Sequence, residues 1–222
     1  MNTWDRWGRG FTIDDSCEEW KKDMLCKVYD AILDALTNAQ IALDYMENSD
    51  STISTTKNGD VKRGDLVKKW FKHEINDDKA VDPFRRLIYN KIGQVIAGFK
   101  QGKFKINCVP DEERQGCVTG IPLPIFGTFW GKKTINLGVR AFDSQMELAA
   151  TIIHELFHMY AGAKDMGYYD QKSPFSDPKY LDTKTNSKEV SLMPEDLLIN
   201  PDTYAYMIES EFFVVQPKRN GK

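Results

Sequence analysis

The stretch HELFHMYAGAKDMGYYD, from His154 to Asp170, decides how this chain is read. It holds two of the three histidines in 222 residues, four positions apart, with Glu155 directly after the first. Residues at i and i+4 of a helix lie on one face a turn apart, the spacing at which two imidazoles take two corners of one tetrahedral zinc site. At about 3.6 residues per turn, Glu155 points roughly 100° round the helix, within reach of a water beside the ion but outside the ligand set. Zinc lowers the pKa of such a water from about 15.7 to about 7, so a carboxylate there is placed to act as a general base in attack on a carbonyl. Without a metal, the chain must bury two imidazoles and a carboxylate and find partners for each, at a cost of about 1–3 kcal/mol for every group left unpaired.

The surroundings of the pair predict a helix. Ser144 and Glu147 form an S-x-x-E capping box at its start, and Gly162 suits a left-handed turn at its end. Leu148, Ile152, Leu156 and Met159 make one apolar row, flanked by Ile153, Phe157 and Tyr160, so most of the helix surface is expected to be buried and the histidines to sit in a dry setting. A catalytic zinc takes three protein ligands and keeps one position open. No histidine follows His158, so a carboxylate must be the third ligand. Asp165 qualifies because three extended residues beyond Gly162 span roughly 10 Å. Asp170 and Glu209 are also within reach.

Working outward, the 41% hydrophobic content supports one domain over 1–222, with 1–16 as an N-terminal extension and 217–222 as a flexible tail. The formal net charge of -3 provides no basic field, so a nucleic-acid partner is not expected. No apolar run reaches the roughly 18–20 residues of a membrane span, and the opening MNTWDRWGRGFTIDD is too polar for a signal-peptide core. Trp20, Met24, Val28, Ile32 and Leu36 recur every four positions and predict a helix over 18–48; NSDSTISTTKNGD, 48–60, is read as a surface loop. Leu66, Val67, Trp70 and Phe71 share a helical face, with His73 beyond them as a surface residue. The series Phe84, Leu87, Ile88, Ile92, Val95, Ile96, Phe99 marks a helix ending near Gly102. From Lys103 the alternation in KFKINCV and the β-prone run KKTINLGV predict a small sheet of antiparallel type, with Lys100, Lys103 and Lys105 on a solvated edge. The expected class is α+β, mainly helical.

HELFH followed by GAKDMGYY resembles the aspzincin pattern, HExxH and then G-T-x-D-x-x-Y-G, of the deuterolysin and peptidyl-Lys metallopeptidase families. Gly162 matches the first glycine, Asp165 the ligand aspartate and Tyr168 the tyrosine; Ala163 stands in place of the threonine and Tyr169 in place of the last glycine. LVKKWF, INCVPDEERQGC, KTINLGVRAF and NPDTYAYM are similar to that family's segments in the same order, so the likeness runs from about Cys17 to Phe213.

The resemblance implies a zincin-like fold whose HExxH helix is the active-site helix. It further implies a secreted endopeptidase with one Zn2+ per chain on His154, His158 and Asp165, Glu155 as base and Tyr168 as donor to the oxyanion. The chain is expected to act as a monomer on protein or peptide substrates, with no membrane partner. The resemblance also puts Asp202 in the pocket for the residue after the cut bond, with Ala205 where lysine-specific members carry a glutamate. By itself NPDTYAYM makes Asn200 an N-cap, Pro201 the first helical residue and Asp202 a first-turn acid favoured by the helix dipole. An extracellular location implies two disulfides among Cys17, Cys26, Cys108 and Cys117, with all three connectivities open. The substrate is expected to lie extended along an edge strand from FGTFWGKKTINL, with Phe129 and Trp130 lining the cleft. Two other functions stay open: a zinc-stabilised binding protein without catalysis, against which Glu155 speaks because a structural site needs no base, and a protease toxin or effector delivered into a host or rival cell.

Overall fold

The first long helix carries the core. In chain order the elements are β1 (Thr12–Ile13), α1 (Glu19–Ala42), β2 (Thr52–Thr55), β3 (Gly59–Lys62), α2 (Arg63–Phe71), α3 (Pro83–Gln101), β4 (Phe104–Cys108), β5 (Gly116–Pro122), β6 (Phe129–Leu137), a 3-10 turn (Val139–Phe142), α4 (Gln145–Ala161), β7 (Tyr168–Tyr169), β8 (Tyr180–Leu181), β9 (Glu189–Val190), α5 (Pro194–Ile199) and α6 (Pro201–Phe212). This structure, a computed structural model, describes residues 11–55, 59–75, 82–110, 116–122 and 129–215, with the backbone alone at 116–122 and 129–132. The fold is α+β, as the sequence implies.

α1 buries Leu25, Val28, Ile32, Ala35, Leu36 and Ala39 along one stripe. It stops at Ala42, short of the expected 48. Arg63, itself buried, donates from Nη1 to the carbonyls of Ile41 and Ala42, which ends the helix at a fixed cap. Beyond it the Asp44 carboxylate and the Asn48 carboxamide oxygen each accept from the backbone N–H two residues on, turning the chain instead of continuing the helix. The expected loop over 48–60 contains structure as well: β2 and β3 pair antiparallel with Thr52 opposite Lys62 and Thr55 opposite Gly59. The stretch that suggested a loop also carries the β-branched Thr52, Ile53 and Thr55, and pairing favours that property.

α3 starts at Asp82, whose side chain accepts from the Phe84 and Arg85 N–H groups ahead of Pro83, and ends at Gly102 in the left-handed region (φ 60°). His73 is not a simple surface residue. Its Nε2 lies 3.1 Å from Asp82 Oδ2 and its ring stacks on Phe84 with centroids 4.2 Å apart, tying the end of α2 to the start of α3.

The main sheet has the order β1-β4-β6-β5. β1 with β4 and β4 with β6 run parallel, and β5 with β6 antiparallel, so the expected antiparallel type is corrected to a mixed sheet. Three helices separate β1 from β4, and a crossover of that length permits parallel pairing. Phe104, Ile106 and Cys108 alternate into the core along β4. β6 is paired on both sides, so the strand expected to offer an edge to substrate is interior; among the described residues β5, which runs beside α4, is the outer strand at that end of the sheet. The side chains of Phe129 and Trp130 lie outside the described residues.

Helices α4 and α6 pack against each other, with α1 and α3 against α4. Phe157 and Tyr204 stack at 4.2 Å where α4 meets α6. Cys17 and Cys108 form a disulfide joining the approach to α1 with the end of β4. The second expected bridge would involve Cys117, whose side chain lies outside the described residues. Among the described residues no helix is long and apolar enough to cross a membrane.

Candidate metal centre

α4 forms where the sequence expects it. Ser144 Oγ accepts from the Glu147 N–H at 3.0 Å, and Gly162 takes φ 62° at the other end. The reciprocal arm of the capping box is replaced: Glu147 accepts from the Gln171 side chain. His154 and His158 stand on one face, with side chains 15% and 20% exposed, so they sit at the rim of the core and not in a dry interior.

Three donor atoms converge there. His158 Nε2 is 3.0 Å from His154 Nε2 and 3.1 Å from Asp165 Oδ1, and His154 Nε2 is 3.3 Å from the same carboxylate oxygen. Ligand bonds of about 2.0–2.1 Å at a tetrahedral centre place the donor atoms roughly 3.3 Å apart. The triangle therefore fits a zinc ion. Among the described residues this is the one group of three or more His, Cys, Asp or Glu side chains able to hold a metal. Asp170 is elsewhere engaged, its Oδ1 accepting from the Lys172 N–H at 3.0 Å, and Glu209 belongs to a neighbouring cavity of about 250 Å³ with Glu147 and Tyr206.

The remaining ring nitrogens face acceptors. His158 Nδ1 lies 2.9 Å from the Ala163 carbonyl, which can only accept, so this nitrogen carries a hydrogen and Nε2 is the donor atom that the neutral ring offers a metal. His154 Nδ1 lies 2.5 Å from Asp202 Oδ1, with the same consequence. Two imidazole nitrogens and a carboxylate oxygen thus face one point, an arrangement that suits a cation. A proton feels the same pull. Burial alone lowers the basicity of the His154 imidazole, yet the Asp202 and Asp165 carboxylates raise it well above the ordinary value. Burial likewise raises the Asp165 carboxyl, and the two imidazoles overcome that and hold it below the usual carboxylate range.

Asn200 builds the loop that delivers Asp165. Expected as an N-cap for α6, it makes no capping bond there. Fully buried, it accepts from the Met166 N–H through Oδ1 at 3.1 Å and donates from Nδ2 to the Gly167 carbonyl at 2.9 Å. The Lys164 N–H donates to the Ile199 carbonyl at 2.8 Å. Residues 164–167 are thereby stapled to the start of α6 on both sides of the aspartate.

Glu155 and Tyr168 complete the neighbourhood. Glu155 is 3% exposed, and its Oε2 has no hydrogen-bond partner among the described residues. Burial raises its proton affinity, and the His154 and His158 imidazoles work in the opposite direction. Tyr168, half-buried on β7, has its hydroxyl held in the protonated form by burial and by the Asp165, Asp202 and Glu155 charges. Asp202 is buried beneath His154, each carboxylate oxygen engaged by a protein group. Neither its contact with His154 nor the Asn200 staple has a local signature, because each joins residues more than thirty positions apart.

No family model matches the sequence, and no curated protein matches it. Among solved structures the chain is similar to a zinc peptidase from Grifola frondosa, with a TM-score of 0.55 over 87% of this chain and 96% of that one, at 16% sequence identity. At that identity the likeness is one of fold.

Proposed function

We propose that the chain is a zinc-dependent endopeptidase of aspzincin type with α4 as its active-site helix. The observation that carries the proposal is the convergence of His154 Nε2, His158 Nε2 and Asp165 Oδ1 within 3.0–3.3 Å. These three atoms would hold a zinc ion, which would supply the Lewis acidity to polarise a peptide carbonyl and acidify a water. Glu155 Oε2, buried and without a hydrogen-bond partner among the described residues, takes the proton of the attacking water and passes it to the leaving amine nitrogen. The Tyr168 hydroxyl donates to the oxyanion that develops on the carbonyl oxygen. An extended substrate pairs through its backbone with the outer edge of β5, which orients the scissile bond across the centre.

The Cys17–Cys108 bridge supports action in an oxidising compartment outside the cell. The unengaged Glu155 oxygen argues for catalysis over a stapling role for the metal. The test is elemental analysis coupled to hydrolysis of an unfolded protein with and without chelator. One zinc per chain and chelator-sensitive cleavage are expected, and Glu155→Gln should keep the zinc while lowering turnover by about 10²–10⁴. Full turnover in that variant overturns the assignment of the base.

A further inference from the structure

Asp202 serves two groups at once. It lies in the first turn of α6 and is 7% exposed. Its Oδ1 stands 2.5 Å from His154 Nδ1, and its Oδ2 accepts from the Tyr169 N–H at 2.6 Å. Tyr169 follows Tyr168 directly on β7, so one carboxylate grips both a donor of the triangle and the strand that bears the phenol. We propose that Asp202 is a positioning residue: it fixes His154 as the Nδ1–H tautomer, aims Nε2 at the metal, and sets the place of β7 relative to that ligand.

This inference rests on reading the centre as a zinc site, and it departs from the specificity role that resemblance gives Asp202. A selector of basic side chains must turn a carboxylate oxygen toward the substrate. Here each oxygen is committed to a protein N–H, at short distance and beneath the metal-facing ring. A histidine ligand whose far nitrogen donates to a carboxylate is held in tautomer and orientation and made more basic; removing such a partner typically costs about 10–100-fold in metal affinity.

Asparagine at this position cannot replace both contacts. If its oxygen accepts from Tyr169, its NH2 faces His154 Nδ1 and drives the proton to Nε2, where it blocks the ligand lone pair. If its oxygen accepts from His154, its NH2 opposes the Tyr169 N–H. Either arrangement loosens the centre without changing side-chain volume appreciably.

The experiment measures zinc affinity of the wild-type chain and Asp202→Asn by competition with a chromophoric chelator, together with fragment mapping at saturating zinc. The expected result is a 10–100-fold weaker zinc affinity and an unchanged distribution of cleaved bonds. Wild-type affinity with a loss of cuts before lysine or arginine would overturn the inference in favour of a selector. A second measurement needs no variant: nitrogen-15 resonances of the zinc-loaded wild-type protein should show His154 ligating through Nε2, with an exchange-protected proton on Nδ1. Ligation through Nδ1 overturns the inference even if Asp202→Asn does not fold. Zinc binding without hydrolysis refutes the peptidase reading alone and leaves the affinity comparison to decide this one; a wild-type chain that binds no zinc refutes both.

Discussion

Two histidine–aspartate pairs in this molecule begin alike and end differently. His73 meets Asp82 at 3.1 Å, and His154 meets Asp202 at 2.5 Å; both aspartates are buried, and both sit at the start of a helix. At His73 the imidazole lies flat on Phe84, and the aspartate spends its other oxygen capping α3 through the Phe84 and Arg85 N–H groups. At His154 the second ring nitrogen faces His158 and Asp165, and a buried glutamate follows in sequence. A histidine–carboxylate pair is therefore not what makes a centre. What sets the His154 pair apart is the convergence of three potential donor atoms on one point.

The largest effect should come from breaking the convergence itself. Asp165→Ala is expected to remove measurable zinc from the purified chain and bring hydrolysis to background, whereas Asp170→Ala keeps both; elemental analysis of the two variants side by side checks this. Tyr168→Phe should sharpen the picture at an intermediate level. Zinc content and affinity stay at the wild-type value while kcat falls by about 10²–10³, the usual cost of losing one oxyanion donor. Unchanged kcat in Tyr168→Phe would return that side chain to a packing role.

At the other pair the same kind of substitution should touch stability alone. Asp82→Ala removes the cap of α3 and the partner of His73, which costs about 1 kcal/mol, or a drop of roughly 2–4 °C in Tm for a chain of this size. Zinc content and turnover per folded molecule should be those of the wild type. A loss of zinc in Asp82→Ala would show that the two pairs are coupled through α3 and α4.

What could be read from the sequence follows how local each feature is. The histidine pair and its glutamate are fixed by helical spacing within five residues, and Ser144 and Gly162 delimit their helix through contacts no longer than a turn or two. Asp165 follows the second histidine closely enough for its reach to be counted in residues. By contrast, parallel pairing of β1 with β4 depends on three intervening helices, which no alternation within KFKINCV reveals. The β2–β3 hairpin was hidden because serine and threonine serve loops and strands alike. Asn200 and Asp202 were recognisable as helix-start residues, but their partners Met166, Gly167, Tyr169 and His154 lie 33 to 48 positions away. The NPD run signals that something is capped or held there, and only the fold identifies the object.

The most direct test of the account is anomalous scattering at the zinc edge from crystals of the zinc-loaded chain. One peak is expected within about 2.0–2.2 Å of His154 Nε2, His158 Nε2 and Asp165, with a fourth position open toward Glu155. A peak ligated by Asp170 or Glu209 in place of Asp165, or no peak on this face of α4, would contradict it.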